Sequence, residues 1–264
     1  MPKVRVGQME LFYQEDGHCE PVVWIHGLGI DHRVWALQIP VFSQHFRCIT
    51  FDNRDAGQSD RSSSSYTIKT MADDVIRLMD ALAIDKAHIV GLSMGGAIAQ
   101  EVAIAYPARV RRLILVSTYT SADRRGADVL NSFAMMRAHF SREEYARATS
   151  PWIFTYRDYL IPGFIESTIT RFLEDPYFLP ADVYARQVEA ALGHFTEDRL
   201  SEITVPTLIV TGNEDLMTPM RFARTLHQGI PGAKLAVIPG GGHALALTHA
   251  DEFNHIALSF LKEP

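Results

Sequence analysis

Gly91-Leu92-Ser93-Met94-Gly95-Gly96 joins an apolar run, Ala87 to Val90, to a helical pattern, Ala97 to Ala105, that Pro107 stops. A G-x-S-x-G pentapeptide in that context predicts a sharp strand-to-helix turn with the serine hydroxyl raised above the strand end. Glycines at 91, 95 and 96 omit the side chains that would clash in such a turn. Because the turn opens a helix, backbone N–H groups face the serine, and that of Met94 is placed to hold an oxyanion. Ser93 is therefore the candidate nucleophile.

Outward from this turn, short β-branched runs alternate with longer helical patterns, which predicts a mainly parallel sheet with helices on both faces. The runs are 22–26, 46–51, 87–92, 112–117, 207–212 and 234–239, preceded by an N-terminal strand pair that completes an eight-stranded sheet. Strands this apolar are expected where both faces of a parallel sheet are buried. Ile68, Met71, Val75, Leu78, Met79 and Leu82 recur at helical spacing, with Asp73, Asp74 and Arg77 assigned to the opposite, outer face. After the sixth strand the alternation stops. Residues 118–203 read as an inserted helical cap rich in aromatics, and 1–117 with 204–264 as the core. Phe133 and Trp152 of the cap, with Gly27 of the core, are the candidate substrate-binding residues.

Three more segments fall at strand ends. His26-Gly27-Leu28-Gly29 follows the strand at 22–26, where a loop over the sheet edge aims the Leu28 N–H at the same point as that of Met94. His26 reads as a shaper of that turn. Asp215 follows the strand at 207–212, with Pro219 opening the next helix, and Glu214 competes with it as the acid that orients a histidine. His243 ends Pro239-Gly240-Gly241-Gly242-His243, a loop whose glycines permit close approach to Ser93. Serine, acid, histidine is the chain order of one class of serine hydrolase and differs from the chymotrypsin and subtilisin orders.

With 264 residues, 47% of them hydrophobic, the chain can bury a full core. A net charge of −6, with both signs interspersed, offers no basic stripe and argues against nucleic acid as a partner. The N-terminus alternates apolar and polar residues instead of presenting a signal segment, and no apolar run approaches a membrane span. A cytoplasmic protein with no membrane partner is expected, its oligomeric state open with a homodimer among the options. Cys19 and Cys48 show no ligand spacing and read as reduced. No His, Cys or carboxylate cluster has the spacing of metal ligands, so neither metal nor cofactor is expected.

HGLG at 26–29, GLSMGG at 91–96, GNED at 212–215 and PGGGH at 239–243 together resemble the α/β-hydrolase superfamily over nearly the whole chain. Within it, GLSMGG, the chain length and the cap are similar to 3-oxoadipate enol-lactonases and related carboxylesterases. Phe51-Asp52-Asn53-Arg54-Asp55-Ala56-Gly57-Gln58-Ser59 resembles the corresponding loop of aclacinomycin methylesterase-like proteins. Many relatives carry D-x-R-G-x-G there, whereas Asp55 stands here in place of the first glycine. Asp52 and Arg54 are expected to form an ion pair that holds this loop. A serine at the elbow separates the chain from haloalkane dehalogenases and epoxide hydrolases, which carry aspartate. The resemblance implies a serine hydrolase of small to medium carboxylic esters or lactones that needs no cofactor. A carbon–carbon bond hydrolase of aromatic degradation, which often has Asn where Leu92 stands, and a ligand receptor of the same fold are the alternatives.

Overall fold

The computed structural model describes residues 2–263. Its eight strands are β1 (Lys3–Val6), β2 (Met9–Asp16), β3 (Pro21–Ile25), β4 (Arg47–Phe51), β5 (Ala87–Leu92), β6 (Val110–Val116), β7 (Thr207–Gly212) and β8 (Lys234–Ile238). They form one sheet in the order β1-β2-β4-β3-β5-β6-β7-β8. β2 runs antiparallel to its neighbours β1 and β4, and the remaining pairs are parallel.

Side-chain alternation explains why the parallel strands are so largely apolar. Val23 and Ile25 of β3 enter one hydrophobic cluster, and Val22 and Trp24 enter the other, on the opposite side of the sheet. β5 and β6 divide in the same way, Ile89 and Leu113 to the first cluster, Val90 and Ile114 to the second. The Ile68–Ala81, Met94–Ala105 and Met220–Gly229 helices supply the first cluster, and Ile39–Phe42 with Ala250–Leu261 the second. Cys48 on β4 is buried, and burial pushes its thiol up to about 12, while Cys19 is exposed in a turn; both are free.

Two expectations about charged residues need correction. Asp74 is not on the solvent face: it is buried, and Arg54 donates to both of its carboxylate oxygens, at 2.6 and 2.8 Å. Asp52 consequently does not pair with Arg54. It accepts from the His32 backbone N–H at 3.0 Å, from Gln58 N–H at 2.8 Å, and lies 2.7 Å from His32 Nδ1. Both carboxylates are spent on holding the 51–59 loop, each by a partner that sequence proximity did not suggest.

Between β6 and β7 the chain builds the helices Arg124–His139, Arg142–Ile153, Tyr156–Tyr159, Phe164–Leu173 and Ala181–Leu192. Ser141 starts the second with a reciprocal cap, accepting from Glu144 N–H while the Glu144 carboxylate accepts from Ser141 N–H. Val129, Phe133, Leu179, Val183, Tyr184 and Val188 form a third cluster, against which Leu28 and Met217 of the core loops pack. The cap is thereby seated over the carboxyl ends of the central strands. Among the described residues, no helix is long and apolar enough to cross a membrane.

Candidate active site

Ser93 stands between β5 and the Met94–Ala105 helix with φ 54° and ψ −118°, a left-handed backbone that side-chain-bearing residues rarely adopt. The surroundings enforce it. Ser93 N–H donates to the Val116 carbonyl at 2.9 Å, and the Thr118 hydroxyl donates to the Ser93 carbonyl at 2.7 Å. A Cβ on Gly91 would lie 2.3 Å from the Gly95 oxygen, and one on Gly95 would lie 2.2 Å from the Ile25 oxygen, so the turn closes only with glycine at both positions.

His243 Nε2 lies 3.1 Å from Ser93 Oγ, and His243 Nδ1 lies 3.0 Å from Asp215 Oδ2. Asp215 is buried, and its carboxylate also accepts from the Met217 and Thr218 amides at 2.8 Å and from the Thr218 hydroxyl at 2.7 Å. Burial opposes its charge, but neighbouring His243 and the Thr218 bonds outweigh burial and hold its pKa below the ordinary aspartate value. Glu214 is brought to none of these groups. It lies 4.0 Å from the exposed Arg157.

Gly27 passes so close that its Cβ position would be 3.3 Å from Ser93 Cβ. The neighbouring Leu28 and Met94 amides find no intramolecular acceptor among the described residues, and both residues face the cavity in front of Ser93. The loop is fixed from two sides. His26 is fully buried, with Nδ1 2.8 Å from the Gly27 oxygen and Nε2 accepting from Asn53 N–H at 2.9 Å. From the cap, the fully buried Gln187 accepts the Gly29 N–H at 2.9 Å. Next to it, Arg186 closes on Asp55 at 3.1 Å. Asp55 has φ 64°, so this chain places an ion-pair acceptor for the cap at a strained position.

The cavity measures about 320 Å³ and its wall is overwhelmingly apolar. Gly27 and Phe133 line it. Trp152 does not: it stands behind Phe133, edge-on at 6.2 Å, with the Arg125 guanidinium 5.4 Å from its ring. Tyr145, Tyr184 and Arg137 line the cavity instead, and the aromatic composition of the cap gave no register that would single them out.

One grouping of metal-ligand type that the sequence did not suggest lies outside the cavity. Asp31, His32 and Asp52 offer ligand atoms within 4.8 Å of one another. Asp52 is committed as described above, and Asp31 accepts from Arg33 N–H at 3.0 Å and Nε at 2.8 Å, so the cluster is saturated by the chain itself.

A family model of the alpha/beta hydrolase fold matches residues 20–250. The chain is similar to RutD of Azorhizobium caulinodans, which is named as a carbamate hydrolase, at 29% identity over 100% of this chain and 99% of that one. Among solved structures it is similar to the enol-lactonase from Burkholderia xenovorans, with a TM-score of 0.91, 29% identity and coverage of 99% of this chain and 100% of that one. It is also similar to a meta-cleavage product hydrolase from Pseudomonas fluorescens, with a TM-score of 0.84, 25% identity and coverage of 99% and 97%.

Proposed function

The chain belongs to the alpha/beta hydrolase fold family, and from that premise we propose that it is a serine hydrolase cleaving small to medium carboxylic esters or lactones through an acyl-enzyme. The observation that carries the reading is the unbroken contact chain Asp215–His243–Ser93, at 3.0 and 3.1 Å, ending in a roofed apolar cavity. Ser93 Oγ attacks the acyl carbonyl carbon as His243 Nε2 takes its proton. The tetrahedral oxyanion is held by the Leu28 and Met94 N–H groups, which carry no competing bond among the described residues. His243 then returns the proton to the departing alkoxide, and a water activated by the same nitrogen releases the acid. Asp215 keeps the Nδ1 proton in place and stabilises the imidazolium.

A cavity of about 320 Å³ is at the lower end of the range for small-ligand sites, which supports compact acyl groups over long chains. The test is kcat/KM for p-nitrophenyl esters from acetate to palmitate, beside simple lactones and Ser93→Ala. Short esters or lactones should lead, and Ser93→Ala should retain far less than a tenth of kcat. Highest efficiency on palmitate with interfacial activation would sink the size reading. The likeness to RutD motivates a second reading, hydrolysis of a carbamate by the same serine. An aryl carbamate in the series decides it: turnover exceeding every ester and lactone would move the substrate class there.

A further inference from the structure

We infer that the Tyr119 hydroxyl is a hydrogen-bond donor to the substrate, and that the preferred esters or lactones carry a second, uncharged carbonyl oxygen that accepts from it. This rests on the ester or lactone reading above and assigns the part of the same cavity that lies past the end of β6.

Tyr119 stands beyond the end of β6 and ahead of the first cap helix. It is only 8% exposed, yet it lines the cavity that Ser93 faces. Its backbone is tied to the nucleophile turn. The Tyr119 carbonyl accepts at 2.9 Å from the side-chain amide of Gln100, fully buried on the helix that Ser93 opens, and the preceding Thr118 hydroxyl donates to the Ser93 carbonyl. Gln100 is held in turn by the Thr196 hydroxyl, which donates to its Oε1 at 2.6 Å. The Tyr119 ring meets those of His194 and Phe222 edge-on, at 5.8 and 6.4 Å. The phenol is thus a polar tip carried on a rigid base.

Among the described residues the Tyr119 hydroxyl has no hydrogen-bond partner, and it opens on the cavity, whereas the Tyr66 hydroxyl is sealed among its neighbours. Burial alone acts on its ionisation and pushes its pKa up, so it stays a neutral donor at the pH where His243 serves as a base. Most other polar groups of the wall are committed. Thr149, Ser150 and Thr168 donate to carbonyls of their own helices at 2.8, 2.7 and 2.9 Å, and Thr218 donates to Asp215 at 2.7 Å. The Tyr145 and Tyr184 phenols engage each other. Arg137 donates to the Leu179 carbonyl, and its Nη2 is sealed from the cavity. Ser121 is the exception: it is half-buried in the same wall, and its hydroxyl has no partner among the described residues. A buried donor left unpaired in an apolar wall is destabilising; a ligand that supplies the acceptor removes the penalty, and one that lacks it is disfavoured. A neutral carbonyl oxygen suits the phenol, which brings no charge to balance an anion. An apolar spacer between that oxygen and the scissile carbonyl suits the rest of the wall.

The experiment uses two matched series on the full-length protein. Methyl esters of γ- to ε-keto acids place the second carbonyl on the acyl side, and acetate esters of γ- to ε-keto alcohols place it on the alcohol side. Each is compared with the analogue in which a methylidene group replaces the ketone oxygen, which keeps the shape and removes the acceptor. In at least one series, at one chain length, kcat/KM should favour the ketone about fivefold or more, the size of one neutral hydrogen bond. Tyr119→Phe deletes the hydroxyl and keeps the ring, and should bring that ratio to near one, with the loss carried by the ketone. No preference for the ketone at any length in the unaltered protein overturns the inference. A ratio that survives in Tyr119→Phe, both members falling together, shows a structural role and overturns it as well. Loss of the ratio in Ser121→Ala but not in Tyr119→Phe moves the donor to Ser121 and overturns the assignment. Calorimetric titration of Ser93→Ala with each keto ester, with and without Tyr119→Phe, reads the subsite apart from chemistry. A Kd about fivefold weaker without the hydroxyl supports it; an unchanged Kd, or no binding by any keto ester, overturns it. Turnover of neither member of any pair would fail the ester reading alone, because the titration still decides Tyr119.

Discussion

Asp215 and Glu214 are adjacent carboxylates with opposite fates, and the backbone decides between them. The turn after β7 directs Asp215 inward to His243 and leaves Glu214 near exposed Arg157. Asp215→Asn should therefore lower kcat by about 10⁴, in line with a histidine held in the wrong tautomer. Glu214→Gln should remain within a few-fold of the unaltered protein, and the larger loss in Glu214→Gln would reverse the assignment. That Ser93, Asp215 and His243 would meet was legible because each sits at a strand end in a motif whose geometry is local. The place of Arg137 in the cavity wall and the bond of Gln187 to Gly29 were not, since both depend on which face of a cap helix meets the core. Arg54 illustrates the same limit: its partner, Asp74, is on a helix that only the tertiary fold brings alongside.

At the scale of elements, the Ala181–Leu192 helix connects the cap to the catalytic floor. Its Gln187 holds Gly29, one residue beyond the Leu28 amide, and Tyr184 packs where a side chain at Gly29 would have to go, 2.7 Å from its Cβ position. Gln187→Met fills the same space without an acceptor and leaves the Gly29 N–H unsatisfied, a deficit of about 1–3 kcal/mol that the loop can relieve by moving. The expected outcome is a roughly tenfold fall in kcat with KM within about twofold, because the proposed oxyanion donor, the Leu28 N–H, shifts while the cavity wall stays. A change in KM alone would show that the helix merely packs. The alternation of strands and the insertion after β6 were readable from periodicity, whereas the seating of the cap on Leu28 and Met217 was not.

The whole molecule carries buried histidines whose effects on stability add in one direction. Burial lowers the pKa of His26, His88 and His194, that of His194 to about 4. The unfolded chain takes up protons near pH 6.5, before these folded sites do, so stability is full above that pH and declines as pH falls. His194 alone should contribute about 3 kcal/mol of the loss between pH 6.5 and 4. Urea midpoints at pH 7, 6 and 5 should fall steadily, and His194→Asn should flatten the decline; identical slopes would exclude His194 as a contributor. The sheet was readable as six apolar runs and an alternating N-terminal strand pair, but its order, with β4 between β2 and β3, comes from packing that no single run encodes. The thiol of Cys48 gives this architecture a built-in clock. With its sulfur sealed inside β4 and its ionisation displaced to about 12, it is silent toward alkylating reagents while Cys19 reacts at the surface. The time at which a second label appears in the mass spectrum therefore reports how often the sheet comes apart around β4.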